Sequence, residues 1–235
     1  MPILKYRFRY VLFIFRRSLS RTSVFLQVRF MILKNFIVFE GIDGSGTTTQ
    51  IKKLAEHFPK GKVFETAEPT SGETGAFLRR MLKGDFQLDA RTAAYLFAAD
   101  RCEHVYGYAG IEKAVHSGKL AVSDRYLFSS LAYQSVFCGA ELPSLLNSPF
   151  PLPEFLFYFQ IDAEIALSRV ASRGGHIEIY EKLDLQKKIA ARFDEVIAEY
   201  KRRKDGMRII TVDAADKPEN IADFIWNAVK NLPIH

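Results

Sequence analysis

Phe36-Ile37-Val38-Phe39-Glu40-Gly41-Ile42-Asp43-Gly44-Ser45-Gly46-Thr47-Thr48-Thr49-Gln50 is the stretch whose reading decides the fold. It begins apolar, passes three glycines in six positions, and continues into helical spacing at Ile51, Leu54, Ala55 and Phe58. Strand, glycine-rich turn and helix in that order describe a phosphate-binding loop. Gly41, Gly44 and Gly46 let backbone N–H groups turn inward around an anion without a Cβ clash. The following helix aims its unpaired N–H groups and positive dipole end at the same place. The loop pattern G-x-x-x-x-G-K-[ST] places Thr48 where a hydroxyl reaches Mg²⁺, but it asks for Lys where this chain has Thr47. A glycine-rich turn that binds nothing remains open, and the threonine run also suits N-capping. Other residues have to decide.

The 235 residues fit one α/β domain with a full core. The formal net charge of +6 is unevenly placed. Residues 1–30 hold Lys5, Arg7, Arg9, Arg16, Arg17, Arg21 and Arg29 with no acid. Removing those seven from 33 basic residues leaves 26 against 27 acidic ones, so a nucleic-acid partner loses its main support. The apolar run Tyr10–Phe15 is far too short to span a bilayer, and no membrane partner is expected. Met31 stands immediately before the first strand, so 1–30 is expected to lie outside the fold, as from a mistaken gene start, with one domain over 31–235. Cys102 and Cys138 have no CxxC spacing and read as free thiols in a reducing, cytoplasmic compartment. The five histidines show no ligand spacing.

Further along, Lys62–Thr66 reads as a second strand stopped before Pro69. Thr74–Lys83 reads as a helix closed by Gly84, and Asp89–His116 as a helical stretch bent or broken at Gly107 and Gly110. Leu120–Ser123 is a third strand, with a helix from about Leu127 and a Pro-rich connector from Pro143 to Pro153. Phe155–Ile161 is a fourth strand, then a helix to about Ser172, a polar stretch, and a helix of about twenty residues. Met207–Val212 is the last strand and Pro218–Leu232 the last helix, with Pro at its start. Strands apolar on both faces, alternating with helices, imply a five-stranded parallel sheet covered on both sides. Ligands then belong at the strands' carboxyl ends, where the glycine loop, Glu68-Pro69 and Ser123-Asp124-Arg125 fall.

Phe39–Gly46 with Thr48-Thr49-Gln50, Glu68-Pro69, Ala98-Ala99-Asp100-Arg101, Asp124-Arg125-Tyr126 and Ala132-Tyr133-Gln134 together resemble the thymidylate kinases, across residues 34–231. The resemblance implies a P-loop nucleoside monophosphate kinase fold with a short lid, here about 173–181. It implies transfer of the ATP γ-phosphoryl group to dTMP with Mg²⁺, and commonly a homodimer, whose contact face the sequence does not identify. ATP is expected at Gly41, Ile42, Asp43, Gly44, Ser45, Gly46, Thr47 and Thr48. The acceptor dTMP is expected at Glu68, Pro69, Arg79, Arg101, Arg125, Ser129, Ser130 and Tyr133. Arg125 and Arg101 would take the acceptor phosphate, Arg79 the thymine edge, and Tyr133 would exclude a 2′-hydroxyl. Read alone, Arg125 also suits a surface ion pair, Arg101 a solvated charge, and Arg79 an ordinary helix-face arginine. Asp43 matches the carboxylate near the sugar and metal, and Asp124 would hold Mg²⁺ through water beside Thr48.

Two departures matter. The loop has no Lys, with Gly44 where some members place an Arg, and the lid reads Glu178-Ile179-Tyr180-Glu181 where an Arg is expected at 179. One cation about 4 Å from a phosphate oxygen is worth roughly 4 kcal/mol at an effective dielectric near 20. Its uncompensated loss is on the order of a thousandfold in rate. Arg173 and then Arg169 are the candidates to supply the charge, with His176 a weaker one. The other readings are a non-catalytic nucleotide-binding homologue and a kinase for another deoxynucleotide or deoxynucleoside.

Overall fold

The computed structural model describes residues 31–172, 180 and 182–234. The chain builds β1 (Ile32–Gly41), α1 (Thr47–Ala55), β2 (Val63–Ala67), α2 (Glu73–Leu82), α3 (Ala90–Tyr106), α4 (Ile111–His116) and β3 (Leu120–Asp124). It continues through α5 (Leu127–Cys138), α6 (Glu141–Asn147), β4 (Leu152–Gln160), α7 (Ala163–Ser172), α8 (Leu183–Arg203), β5 (Arg208–Asp213) and α9 (Pro218–Val229). The five strands form one parallel sheet in the order β2-β3-β1-β4-β5.

Side chains alternate across a strand, and the sheet uses this to feed two cores. Phe36, Val38, Ala121, Leu156 and Tyr158 face one side, packed with Phe128 and Leu131 of α5 and Ile189, Phe193 and Val196 of α8. Ile37, Phe39, Val122, Phe157 and Phe159 face the other, against Ile51 and Leu54 of α1 and Ile221 and Ile225 of α9. Strand β1 carries the consequence, since Phe36, Ile37, Val38 and Phe39 are all fully buried. The edge strands β2 and β5 are only half-buried, so apolarity on both faces holds for the inner strands alone. A smaller cluster joins α2 to α3 through Leu78, Met81, Leu82 and Ala93.

Neighbouring β1 and β3 send their chains to opposite faces, β1 into α1 and β3 into α5. The crevice between their carboxyl ends is therefore the topological switch point, where ligands of such sheets bind.

The break expected at Gly107 and Gly110 is present, between α3 and α4. The connector from Pro143 to Pro153 is a correction. It contains most of α6 and the first residues of β4. Pro143 sits in the first turn of α6, where a missing N–H costs no intrahelical bond. Pro153 stands opposite Leu33, before β5 begins its pairing with β4 at Phe155, and beside a register shift against β1.

Candidate active site

The loop closes on itself through the Ser45 N–H, which donates to the Ile42 carbonyl at 3.1 Å. Gly44 and Gly46 both have positive φ, +88° and +94°, and Gly46 is the N-cap of α1. At Gly44 a Cβ would stand 2.2 Å from the Ala166 carbonyl oxygen, so the loop lies directly on α7. No side chain caps α1, which removes capping as the reason for the threonine run. Instead the Thr48 hydroxyl donates to Asp124 Oδ2 at 2.5 Å, joining the start of α1 to the end of β3.

Beside the loop lies a cavity of about 250 Å³. All eight residues expected at the acceptor line it: Glu68, Pro69, Arg79, Arg101, Arg125, Ser129, Ser130 and Tyr133. Asp43 of the loop lines it too, with Leu82, Phe97, Gln134 and Tyr180.

Arg125 sits at the switch point with φ 69°, an uncommon backbone for a residue with a side chain. Its Nη1 donates to the Gly41 carbonyl at 2.9 Å and to Ser129 Oγ at 3.1 Å, while Nη2 donates to Asp43 Oδ1. The ion pair therefore faces the loop and the cavity rather than open solvent. Asp43 Oδ2 accepts from the Tyr133 hydroxyl at 3.2 Å and from Gln186 Nε2 at 3.1 Å. Gln186 also donates to the Tyr180 carbonyl at 2.9 Å. Burial, with the Asp43 carboxylate beside it, pushes the Tyr133 phenol well above the ordinary tyrosine range, so it stays a neutral donor.

Arg101 is 1% exposed, which removes the solvated-charge reading. Its guanidinium donates to Glu68 Oε2 at 2.6 Å, Ser130 Oγ at 3.0 Å, the Tyr126 carbonyl at 3.2 Å and Asn147 Oδ1. It lies 5.4 Å from the Tyr126 ring centroid and 5.7 Å from that of Phe150. Its Nε is buried with no hydrogen-bond partner among the described residues. The other Glu68 oxygen meets His104 Nδ1 at 3.0 Å, and His104 Nε2 meets Thr66 Oγ1 at 2.7 Å. Arg79 donates to the carbonyls of Pro69 and Thr70, which removes the free helix-face reading. Asp100 fixes that turn by accepting from the Thr70 N–H, the Thr70 hydroxyl and the Thr74 hydroxyl at 2.6–2.8 Å.

Glu40 lies beneath the site, completely buried. Its Oε1 accepts from the N–H groups of Tyr126 at 2.8 Å and Ser129 at 3.0 Å, and Oε2 from the Ser129 hydroxyl at 2.6 Å. Burial pushes its carboxyl up to about 7, against the lowering effects of the Ser129 bonds, the Arg125 charge and the Tyr126 N–H.

Sequence reasoning assigned no role to Glu40, Asp100, His104, Asn147, Gln186 or Tyr180. Glu40 and Asp100 stand inside the quoted motifs, and His104 is one helical turn from Arg101, so a signal existed for those three. Asn147 and Gln186 come from α6 and α8, and no local pattern links them to the site. Arg169 does not line the cavity; its Nη1 donates to the Ala214 carbonyl at 2.9 Å. Arg173, His176 and Ile179 lie outside the described residues, as does all of 173–181 except Tyr180. Among the described residues no cluster of His, Cys, Asp and Glu forms a metal cage, and no helix is long and apolar enough to cross a membrane. Cys102 and Cys138 are both unpaired with each other.

A sequence model of the thymidylate kinase family matches residues 39–225, from the end of β1 into α9, and includes every residue lining the cavity. The chain belongs to the thymidylate kinase family. A protein of Treponema pallidum (strain Nichols) named as a thymidylate kinase is 39% identical over 201 residues, covering 85% of this chain and 96% of its own. One of Methanocaldococcus jannaschii, also named as a thymidylate kinase, is 38% identical over 206 residues, covering 86% and 100%. A thymidylate kinase of Leptospira borgpetersenii is 34% identical over 178 residues, covering 74% and 86%. In this thymidylate kinase fold the glycine loop and the cavity meet at the Asp43–Arg125 ion pair, both of whose residues line the cavity.

Proposed function

We propose that the protein transfers the γ-phosphoryl group of ATP to dTMP, giving dTDP and ADP. The observation that carries this reading is the single cavity lined by all eight acceptor residues and joined to the loop through Asp43 and Arg125. An oxygen of the dTMP phosphate attacks the γ-phosphorus, the bond to the β,γ-bridging oxygen breaks, and ADP leaves with that electron pair. Such transfer needs positioning and charge neutralisation more than a dedicated base.

ATP lies along Gly41–Thr48, its phosphates on the loop N–H groups and the α1 N-terminus. Arg125 holds the acceptor phosphate by its guanidinium, and the buried guanidinium of Arg101 adds positive charge behind it. Arg79 and the rings of Phe97 and Tyr133 place the base and sugar. The Thr48 hydroxyl and Asp124 carboxylate are hard oxygen ligands that fit Mg²⁺, Asp124 through water. When bound, Mg²⁺ neutralises charge on the β- and γ-phosphates. Arg173 is the first candidate to supply the charge that Thr47 lacks, and Arg169, which donates to the Ala214 carbonyl, is the second. A non-catalytic role has no use for a complete acceptor cavity.

The catalytic unit in this reading is residues 31–235, working in the cytoplasm as a homodimer. Phosphorus NMR of a mixture of protein, ATP, Mg²⁺ and dTMP tests the reaction itself. Equal growth of dTDP and ADP signals supports it. ATP that stays intact, or is hydrolysed to free phosphate without dTDP, overturns it.

A further inference from the structure

Helix α5 has no side-chain cap of its own. Its first turn is held from a distance by Glu40, a carboxylate on the central strand that the transfer chemistry does not touch. One carboxylate oxygen takes the Tyr126 and Ser129 N–H groups, at 2.8 and 3.0 Å. The other takes the Ser129 hydroxyl at 2.6 Å, and that same hydroxyl oxygen accepts from Arg125 Nη1 at 3.1 Å. A continuous chain therefore runs from Glu40 through Ser129 to the guanidinium.

The backbone of Arg125 is pinned on both sides. Its N–H donates to the Phe39 carbonyl at 2.9 Å, its carbonyl accepts from Ser123 Oγ at 2.7 Å, and the next N–H is the one Glu40 holds. These bonds keep a non-glycine residue at φ 69°, and with it the direction in which the side chain leaves the sheet. A helix N-terminus is ordinarily an anion site. Here an internal carboxylate already fills it, which leaves an incoming phosphate to the arginines.

We propose that Glu40 is a positioning residue for the acceptor phosphate, acting through Ser129 and the Tyr126 N–H to aim Arg125. This rests on the assignment of the cavity to dTMP.

Glu40→Gln tests it, because the amide keeps the shape and can still accept from both N–H groups while losing the charge. Dissociation constants for dTMP and for ATP are measured separately by calorimetry on Glu40→Gln, Ser129→Ala and the double variant. The expected result is about tenfold weaker dTMP binding in each single variant, ATP binding within about twofold, and a double variant no more than about twofold worse than either single one. Equal weakening of both ligands, or dTMP binding within about twofold of wild type, overturns the proposal. Additive losses in the double variant overturn the path through Ser129. Should Glu40→Gln fail to fold, Glu40→Asp decides, since it keeps the charge but shortens the reach to Ser129 and the Tyr126 N–H: weaker dTMP binding with ATP binding held supports the proposal, and dTMP binding within about twofold of wild type overturns it. A wild-type protein that binds dTMP without turnover would remove the kinase reading and leave this test intact. One that binds no dTMP would remove both.

Discussion

Arg125 and Asp43 meet where the loop and the cavity share a wall, so a change at either should separate the two substrates. Arg125→Ala is expected to lower kcat/KM for dTMP by about a thousandfold or more while the affinity for ATP changes only a few-fold. Equal losses for both would place the arginine in general scaffolding. Thr47→Lys addresses the missing loop cation. With the charge supplied elsewhere, the added Lys should change kcat by less than about tenfold; a gain near a thousandfold would mean that nothing had compensated. Glu40 makes a prediction about pH. Its carboxyl titrates near 7 in the folded protein and near its ordinary 4.5 when unfolded. Between those values the folded state holds the extra proton, so this group's contribution is fully present below 4.5 and is lost as pH rises to 7. The loss amounts to about 3 kcal/mol. Denaturant titrations of wild type and Glu40→Gln at pH 5 and pH 8 should show the variant gaining relative stability with pH. A pH-independent difference would contradict the burial account.

Among the elements, the path from β1 through the loop to α1 was legible because its signals are local. Four apolar residues, glycines at fixed intervals and helical spacing each specify their own geometry. The loop's support by α7 was not legible, since it depends on the Ala166 carbonyl meeting Gly44 across 122 positions of sequence. Gly44→Ala should therefore clash with that carbonyl and oppose φ +88°, raising the KM for ATP by about a hundredfold or more while dTMP still binds. Unchanged ATP kinetics would show that the loop does not need this seat. Helix α6 was missed because Pro143 reads as a breaker wherever the helix start is unknown. With α6 went Asn147 and its bond to Arg101. Gln186 was invisible for a similar reason: its meaning lies in reaching Asp43, not in its neighbours on α8. The residues lining the cavity were readable only as a set of motifs in order, since no single one excludes a bland helix-face or core role.

At the scale of the molecule, two cores on opposite faces of one sheet hold β1 rigidly and leave its carboxyl end free for chemistry. The Met31 carbonyl accepts from the Leu152 N–H at 2.9 Å, next to the Ile32–Leu152 pairing of β1 with β4. A protein beginning at Met31 is accordingly expected to match the full 235-residue chain in melting temperature within about 2 °C and in kcat within about twofold. A large loss in either would assign a folding or catalytic role to residues 1–30. In the proposed reading this Lys-less loop and its intact cavity together make a kinase for dTMP. Its most direct test is a coupled ADP-release assay with ATP, Mg²⁺ and each deoxynucleoside monophosphate in turn. Rapid turnover confined to dTMP is the predicted result; binding of ATP and dTMP without turnover, or faster use of another acceptor, would contradict it.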